Sequence, residues 1–200
     1  MAIYVCLTST AFVHLATAHI DFSPPKKCQP ASVVQKRQVL AGLARLNQFL
    51  SECKNATGNE GWCEELTRPS EEGRPYFECS YGKDVDYRLV HPDRKTWKNA
   101  FRAVELIQKL KDEDIRACGI YYWWRPEPFN RNAGGAPTRH PYGTSVDVRF
   151  CSMKDMEKAH SRLCSLRKQG FLKALGYYNS PELHLGISDT KANTWGKDCP

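Results

Sequence analysis

The chain reads as an α+β protein: a small antiparallel sheet with flanking helices, stapled by disulfides. Three observations carry this. Apolar residues recur at three- and four-residue steps in two stretches, the signature of helices with one buried face. Short runs of β-formers fall between helical segments without regular βαβ order, which favours an antiparallel sheet. Nine cysteines occur in 200 residues and none forms a Cys-x-x-Cys pair. Disulfides therefore fit better than a metal ribbon or a redox motif.

The elements follow in order. Residues 1–18 carry no charged residue, are apolar from Ile3 to Leu15 and end in Ala16-Thr17-Ala18, which fits a signal peptide cleaved after small residues. Residues 19–31, with Pro24-Pro25-Lys26-Lys27, read as an extended leader. One domain is expected over 32–200, with a helical part at 32–95 and a core at 96–200. Val39, Leu43, Leu46, Leu50 and Cys53 predict one helix over 32–54. Gly58, Gly61, Pro69, Gly73 and Pro75 predict a loop over 55–75. Short strands are expected at 76–79 and 87–90. Thr96 is placed to cap a helix whose inner face holds Trp97, Ala100, Val104, Ile107 and Leu110. Residues 115–124 are dense in β-formers and predict a central strand. A Pro-, Asn- and Gly-rich loop at 125–138 leads to a strand at 146–150. Ser152 and Asp155 predict a capped helix ended by Gly170, and 182–187 a final strand.

Setting aside Cys6 leaves an even set of eight cysteines, as expected for a secreted or periplasmic protein. No apolar run is long enough for a transmembrane segment. The net charge of +7 favours anionic surfaces as partners, although the basic residues are scattered. No nucleic-acid-binding motif is present, so nucleic acid is not an expected partner. A monomer is expected.

The chemistry concentrates in Arg139-His140-Pro-Tyr-Gly143-Thr-Ser-Val-Asp147 and Glu182-Leu-His184-Leu-Gly186. Two imidazoles and one carboxylate are the ligand set of a catalytic Zn²⁺ that keeps one position open. On a strand, Asp147 points away from the face of Val146 and Val148, while Glu182, His184 and Gly186 share one face. Gly143 lets the chain turn so that His140 reaches the same ion. Such a centre carries a net charge of +1, enough to bring a water pKa towards ~7. The aromatic residues Tyr121, Tyr122, Trp123, Trp124, Tyr142, Tyr177 and Tyr178 divide between core and cleft, with Tyr142 the best placed for the cleft. Arg139 and Arg149 either add positive charge for substrate carboxylates or are simply solvated.

The stretch from Tyr121 through Arg125-Pro126, Asn130, Gly134-Gly135-Ala136 and Thr138-Arg139-His140 to Asp147, followed by Gly176-Tyr-Tyr, Glu182-Leu-His184 and Trp195, resembles the zinc D-Ala-D-Ala carboxypeptidase family. That family has the hedgehog-like peptidase fold. The resemblance covers the C-terminal half. It implies His140, Asp147 and His184 as Zn²⁺ ligands, and Arg125 as the group that holds a substrate carboxylate or the developing oxyanion. It implies Thr138 as a hydroxyl donor to substrate where the family has Ser, and peptidoglycan peptides as partner and substrate; Glu182, where one branch of the family has His, is expected as general base and acid because it shares His184's face. The expected activity is hydrolysis of a bond next to a D-amino acid. Around the last ligand the chain departs from the family, having neither His-x-His-x-Asp nor Glu-x-x-His. That departure supports an alternative, a non-catalytic zinc-containing module that binds cell wall or glycan on the same fold.

Overall fold

The computed structural model describes residues 27–199. The expected signal peptide, and the leader up to residue 26, lie outside these. Five strands form one sheet in the order β1-β2-β4-β3-β5: β1 (Ala117–Tyr122), β2 (Ser145–Phe150), β3 (Ala174–Tyr177), β4 (Glu182–Gly186) and β5 (Thr194–Trp195). The helices are α1 (Val33–Leu43), α2 (Leu46–Thr57), α3 (Glu60–Thr67), α4 (Arg74–Tyr81), α5 (Trp97–Lys111), α6 (Phe129–Asn132) and α7 (Met153–Lys168). The α+β class and the disulfide staples stand as expected; the sheet differs in being mixed. The pairs β1–β2, β2–β4 and β3–β4 are antiparallel, but β5 runs parallel to β3. The two-residue β5 has no alternation to reveal it. Trp195 holds it there, its ring lying in the space that a side chain at residue 176 would fill.

Alternation along the strands divides the sheet as its sequence implies. Val146, Val148, Leu183 and Leu185 are fully buried on one face, and α5 and α7 pack against β2 to close that core. Each such side chain contributes about 1.5–3 kcal/mol on burial. The opposite face carries Asp147 beside His184 and Arg149 beside Glu182. Ser152 caps α7 as expected, its hydroxyl accepting from the Asp155 amide at 3.0 Å.

Several local expectations are corrected. Residues 32–54 form two helices, because at Arg45 the backbone leaves helical geometry (φ −104°, ψ 7°) and the guanidinium turns to the Pro92 carbonyl (2.7 Å) and the Trp97 ring. The stretch 55–75 is largely helical. Gly58 is a left-handed cap that ends α2, and Asn59 starts α3 by accepting from the Trp62 amide. Residues 76–79 lie inside α4, where Phe77 meets Tyr81 one turn on at 4.9 Å; tertiary packing overrides the β-preference of the aromatics. Residues 87–90 form no strand, Leu89 bonding instead to the Thr67 carbonyl. The Thr96 hydroxyl donates to the Asp93 carbonyl and caps nothing; Asp93 caps a 3₁₀ turn that runs into α5. β1 lies at the sheet edge, interrupted by register shifts, and β4 is central with β5 after it in the chain.

Four disulfides join Cys28–Cys79, Cys53–Cys63, Cys118–Cys151 and Cys164–Cys199. They use all eight cysteines of residues 27–199. Cys53–Cys63 clamps α2 to α3, and Cys118–Cys151 ties edge strand β1 to the end of β2. Among the described residues no helix is long and apolar enough to cross a membrane. Closing the chain between Cys118 and Cys151 restricts the unfolded state. Replacing both by Ala is expected to lower the unfolding free energy by about 2–4 kcal/mol, read by urea denaturation.

Candidate metal centre

The register of β2 against β4 builds the site. It sets Asp147 opposite His184 and continues to Arg149 opposite Glu182. His140 comes from a 3₁₀ turn, His140–Tyr142, immediately before β2. Gly143 ends this turn at φ 62° and redirects the chain into the strand, a conformation that costs a non-glycine residue energy. The turn is pinned from beneath. The Trp123 indole and the Asn99 amide both donate to the Gly143 carbonyl at 3.1 Å, and the Trp124 indole donates to the Pro141 carbonyl at 3.1 Å. The buried tryptophan pair thus fixes where His140 stands.

Three side chains meet on the polar face. His140 Nε2 lies 3.0 Å from Asp147 Oδ2, His184 Nδ1 lies 2.8 Å from Asp147 Oδ1, and the two ring nitrogens are 3.3 Å apart. The residues are 3%, 4% and 2% exposed respectively. His140 Nδ1 lies 2.8 Å from the Trp123 carbonyl. A carbonyl only accepts, so this nitrogen carries the proton and Nε2 turns a lone pair inward. His184 faces a carboxylate on each side, Asp147 at 2.8 Å from Nδ1 and Asp189 at 3.4 Å from Nε2; with a metal ion in place of a proton at Nδ1, the remaining proton stands on Nε2 toward Asp189. Two imidazole nitrogens and a carboxylate thus converge. A proton on His184 or a metal ion in the same place satisfies these groups. The donor spacings approach the edges of a tetrahedron with arms of ~2.0–2.1 Å, about 3.3 Å long, as for Zn²⁺. The residues present fit that ion.

Protonation equilibria follow the same logic. Burial pushes the His140 pKa down, outweighing the Asp147 charge. Burial would raise Asp147, but the two imidazoles hold it far below the usual carboxylate range. Burial opposes charge on His184 too, yet hydrogen bonds to Asp147 and Asp189 push its pKa up. The site thus attracts positive charge.

No protein-family model, curated protein or solved structure matches this chain. The likeness to zinc carboxypeptidases rests on the motif residues alone.

The triad sits in a cavity of about 430 Å³ that is also lined by Tyr122, Arg125, Arg139, Tyr178 and Glu182. Arg125 is half-buried and lies over the Tyr122 ring at 4.8 Å, its Nε donating to Asn130 Oδ1 at 2.9 Å. Asn130, fully buried, donates in turn to Glu127 and to the carbonyls of Gly135 and Ala136. The Gly-Gly-Ala element is therefore the wall that aims the guanidinium. Glu182 enters from the start of β4, on His184's face. Burial and the Asp147 charge push its pKa up to about 8, against the pull of Arg125.

The cavity thus gathers His140, Asp147, His184, Glu182 and Arg125, but neither Thr138 nor Tyr142 lines it. Thr138 is exposed on the loop. Tyr142 is 62% exposed, because the turn that buries His140 points the next-but-one side chain outward. Tyr122 and Tyr178 take the aromatic role assigned to Tyr142. Three further residues have no role assigned from the sequence: Asn130, present there only as part of the motif, anchors Arg125, and Asp189 with Thr144 stands behind His184. Another trio, His160, Cys164 and Cys199, also has ligand-type atoms in proximity, but its sulfurs are joined in a disulfide and offer no thiolate.

Replacing Asn130 by Ala strands two carbonyls and frees Arg125. An unfolding free energy lower by about 2–4 kcal/mol is expected by chemical denaturation.

Proposed function

We propose that this chain is a zinc-dependent peptidase that hydrolyses a bond next to a D-amino acid in peptidoglycan stem or cross-link peptides. The observation that carries the reading is the convergence of His140, Asp147 and His184 at the floor of a cavity that also presents Glu182 and Arg125. Zinc, when bound, supplies Lewis-acid polarisation of a carbonyl and a lower water pKa.

The chain's own residues do the rest. Arg125, held by Asn130, offers a planar guanidinium to a substrate carboxylate or to the oxygen that gains negative charge. Glu182 takes the proton of the attacking water on its carboxylate and returns it to the leaving amine nitrogen. Tyr122 and Tyr178 wall the cleft. Peptidoglycan as substrate rests on the motif resemblance. The disulfide set suits an extracellular or periplasmic setting, and the net charge of +7 suits an anionic wall.

His184→Ala is expected to abolish stoichiometric zinc uptake, read by metal analysis. Glu182→Ala is expected to keep the metal and lose about 10²–10⁴-fold in turnover, read by mass spectrometry of fragments released from defined muropeptides. Hydrolysis retained in the Glu182 variant removes that residue from the mechanism. Zinc uptake by the unmodified chain without fragment release favours the binding-module alternative.

A further inference from the structure

We propose that Asp189 is the positioning carboxylate of the metal centre, fixing His184 so that Nδ1, and not Nε2, faces the ion. The inference rests on the metal-centre reading and adds a residue that no sequence motif marks. Asp189 lies three residues beyond the end of β4, outside any regular element, yet it is 2% exposed. Its Oδ2 lies 3.4 Å from His184 Nε2. Its other oxygen, Oδ1, accepts from the Thr144 hydroxyl at 2.8 Å, and Arg139 Nε approaches Oδ2 at 3.5 Å.

These contacts form a clasp around one imidazole. The Arg139 guanidinium stacks on the Trp195 ring at 3.9 Å, and that ring packs against His184 at 5.0 Å. The ring of His184 is thus bounded by Asp147 and His140 on its Nδ1 side, Asp189 on its Nε2 side and Trp195 at its face. Gly186 makes room for this. A Cβ there would lie 2.5 Å from Asp189 Oδ2 and 2.6 Å from the Ala174 Cβ. The departure from the family pattern at residue 186 therefore has a local reason: the position that pairs with Ser145 across the sheet must stay empty for the carboxylate to pass.

A carboxylate on the remote nitrogen of a ligating imidazole sets the tautomer and raises ligand basicity. Removing such a partner typically costs 10–100-fold in metal affinity. Asparagine in its place keeps the volume but loses the charge and can present an N–H to Nε2, selecting the tautomer whose proton blocks Nδ1.

The test uses the full chain, zinc competition with a chromogenic chelator, and histidine-selective ¹⁵N spectra of the zinc-loaded protein. D189N is expected to bind zinc about 10–100-fold more weakly than the unmodified chain, with the His184 Nε2–H resonance displaced from its carboxylate-bonded position. Affinity or resonance unchanged in D189N overturns the proposal. Should D189N fail to fold, T144V decides, since it removes only the hydroxyl that holds the carboxylate. A several-fold loss of affinity is expected there, and no loss overturns the proposal. An unmodified chain that takes up no zinc overturns this proposal and the metal-centre reading together. Zinc binding that ignores Asp189 overturns this proposal alone.

Discussion

The antiparallel pairing of β2 with β4 is the constraint on which the site depends. It sets Asp147 directly opposite His184, with Val146, Val148, Leu183 and Leu185 buried on the other face. A slip of one residue would exchange the two faces. Four large aliphatic side chains would then leave the core, at about 1.5–3 kcal/mol each, and the polar pair would enter it. The hydrophobic core therefore enforces the geometry of the polar centre, which needs no stabilisation of its own to be placed.

That independence matters because the centre buries three ionisable side chains together. Three side chains approach one another pairwise at 2.8–3.3 Å in a buried site. Burying polar groups without partners is costly, and the cost is borne by the framework: the Trp123 carbonyl, the Asp189 carboxylate and the indoles under the His140 turn. His140, Asp147 and His184 form a group that could hold a metal ion. The same framework aims Arg125 through Asn130, so the cavity combines a fixed positive group, the candidate ligand triad and the carboxyl group of Glu182.

Much of this was legible in the sequence, for a definite reason. Strand periodicity is exact at two residues, so the shared face of Glu182 and His184, and the placement of Asp147 opposite the apolar valines, follow from alternation alone. Capping chemistry likewise announced α7 through Ser152. Other parts were hidden because the forces that decide them are not local. The helix break at Arg45 depends on Pro92 and Trp97, distant in the chain. Residues 76–79 favour a strand by composition but pack as a helix around Phe77. β1 was placed centrally on its hydrophobicity, yet aromatic burial under a turn, and not a second strand neighbour, accounts for Trp123 and Trp124. Tyr142 was drawn to the cleft by its nearness to His140, although a 3₁₀ turn sends it outward. Asp189 lies in a loop with no periodicity, and only the folded chain brings it behind His184.

The central claim is tested most directly by anomalous diffraction at the zinc edge from crystals of the zinc-loaded chain. One ion is expected, bound by His140 Nε2, an Asp147 carboxylate oxygen and His184 Nδ1 at about 2.0–2.2 Å. An ion bound elsewhere, or no anomalous peak among these three side chains, contradicts the account.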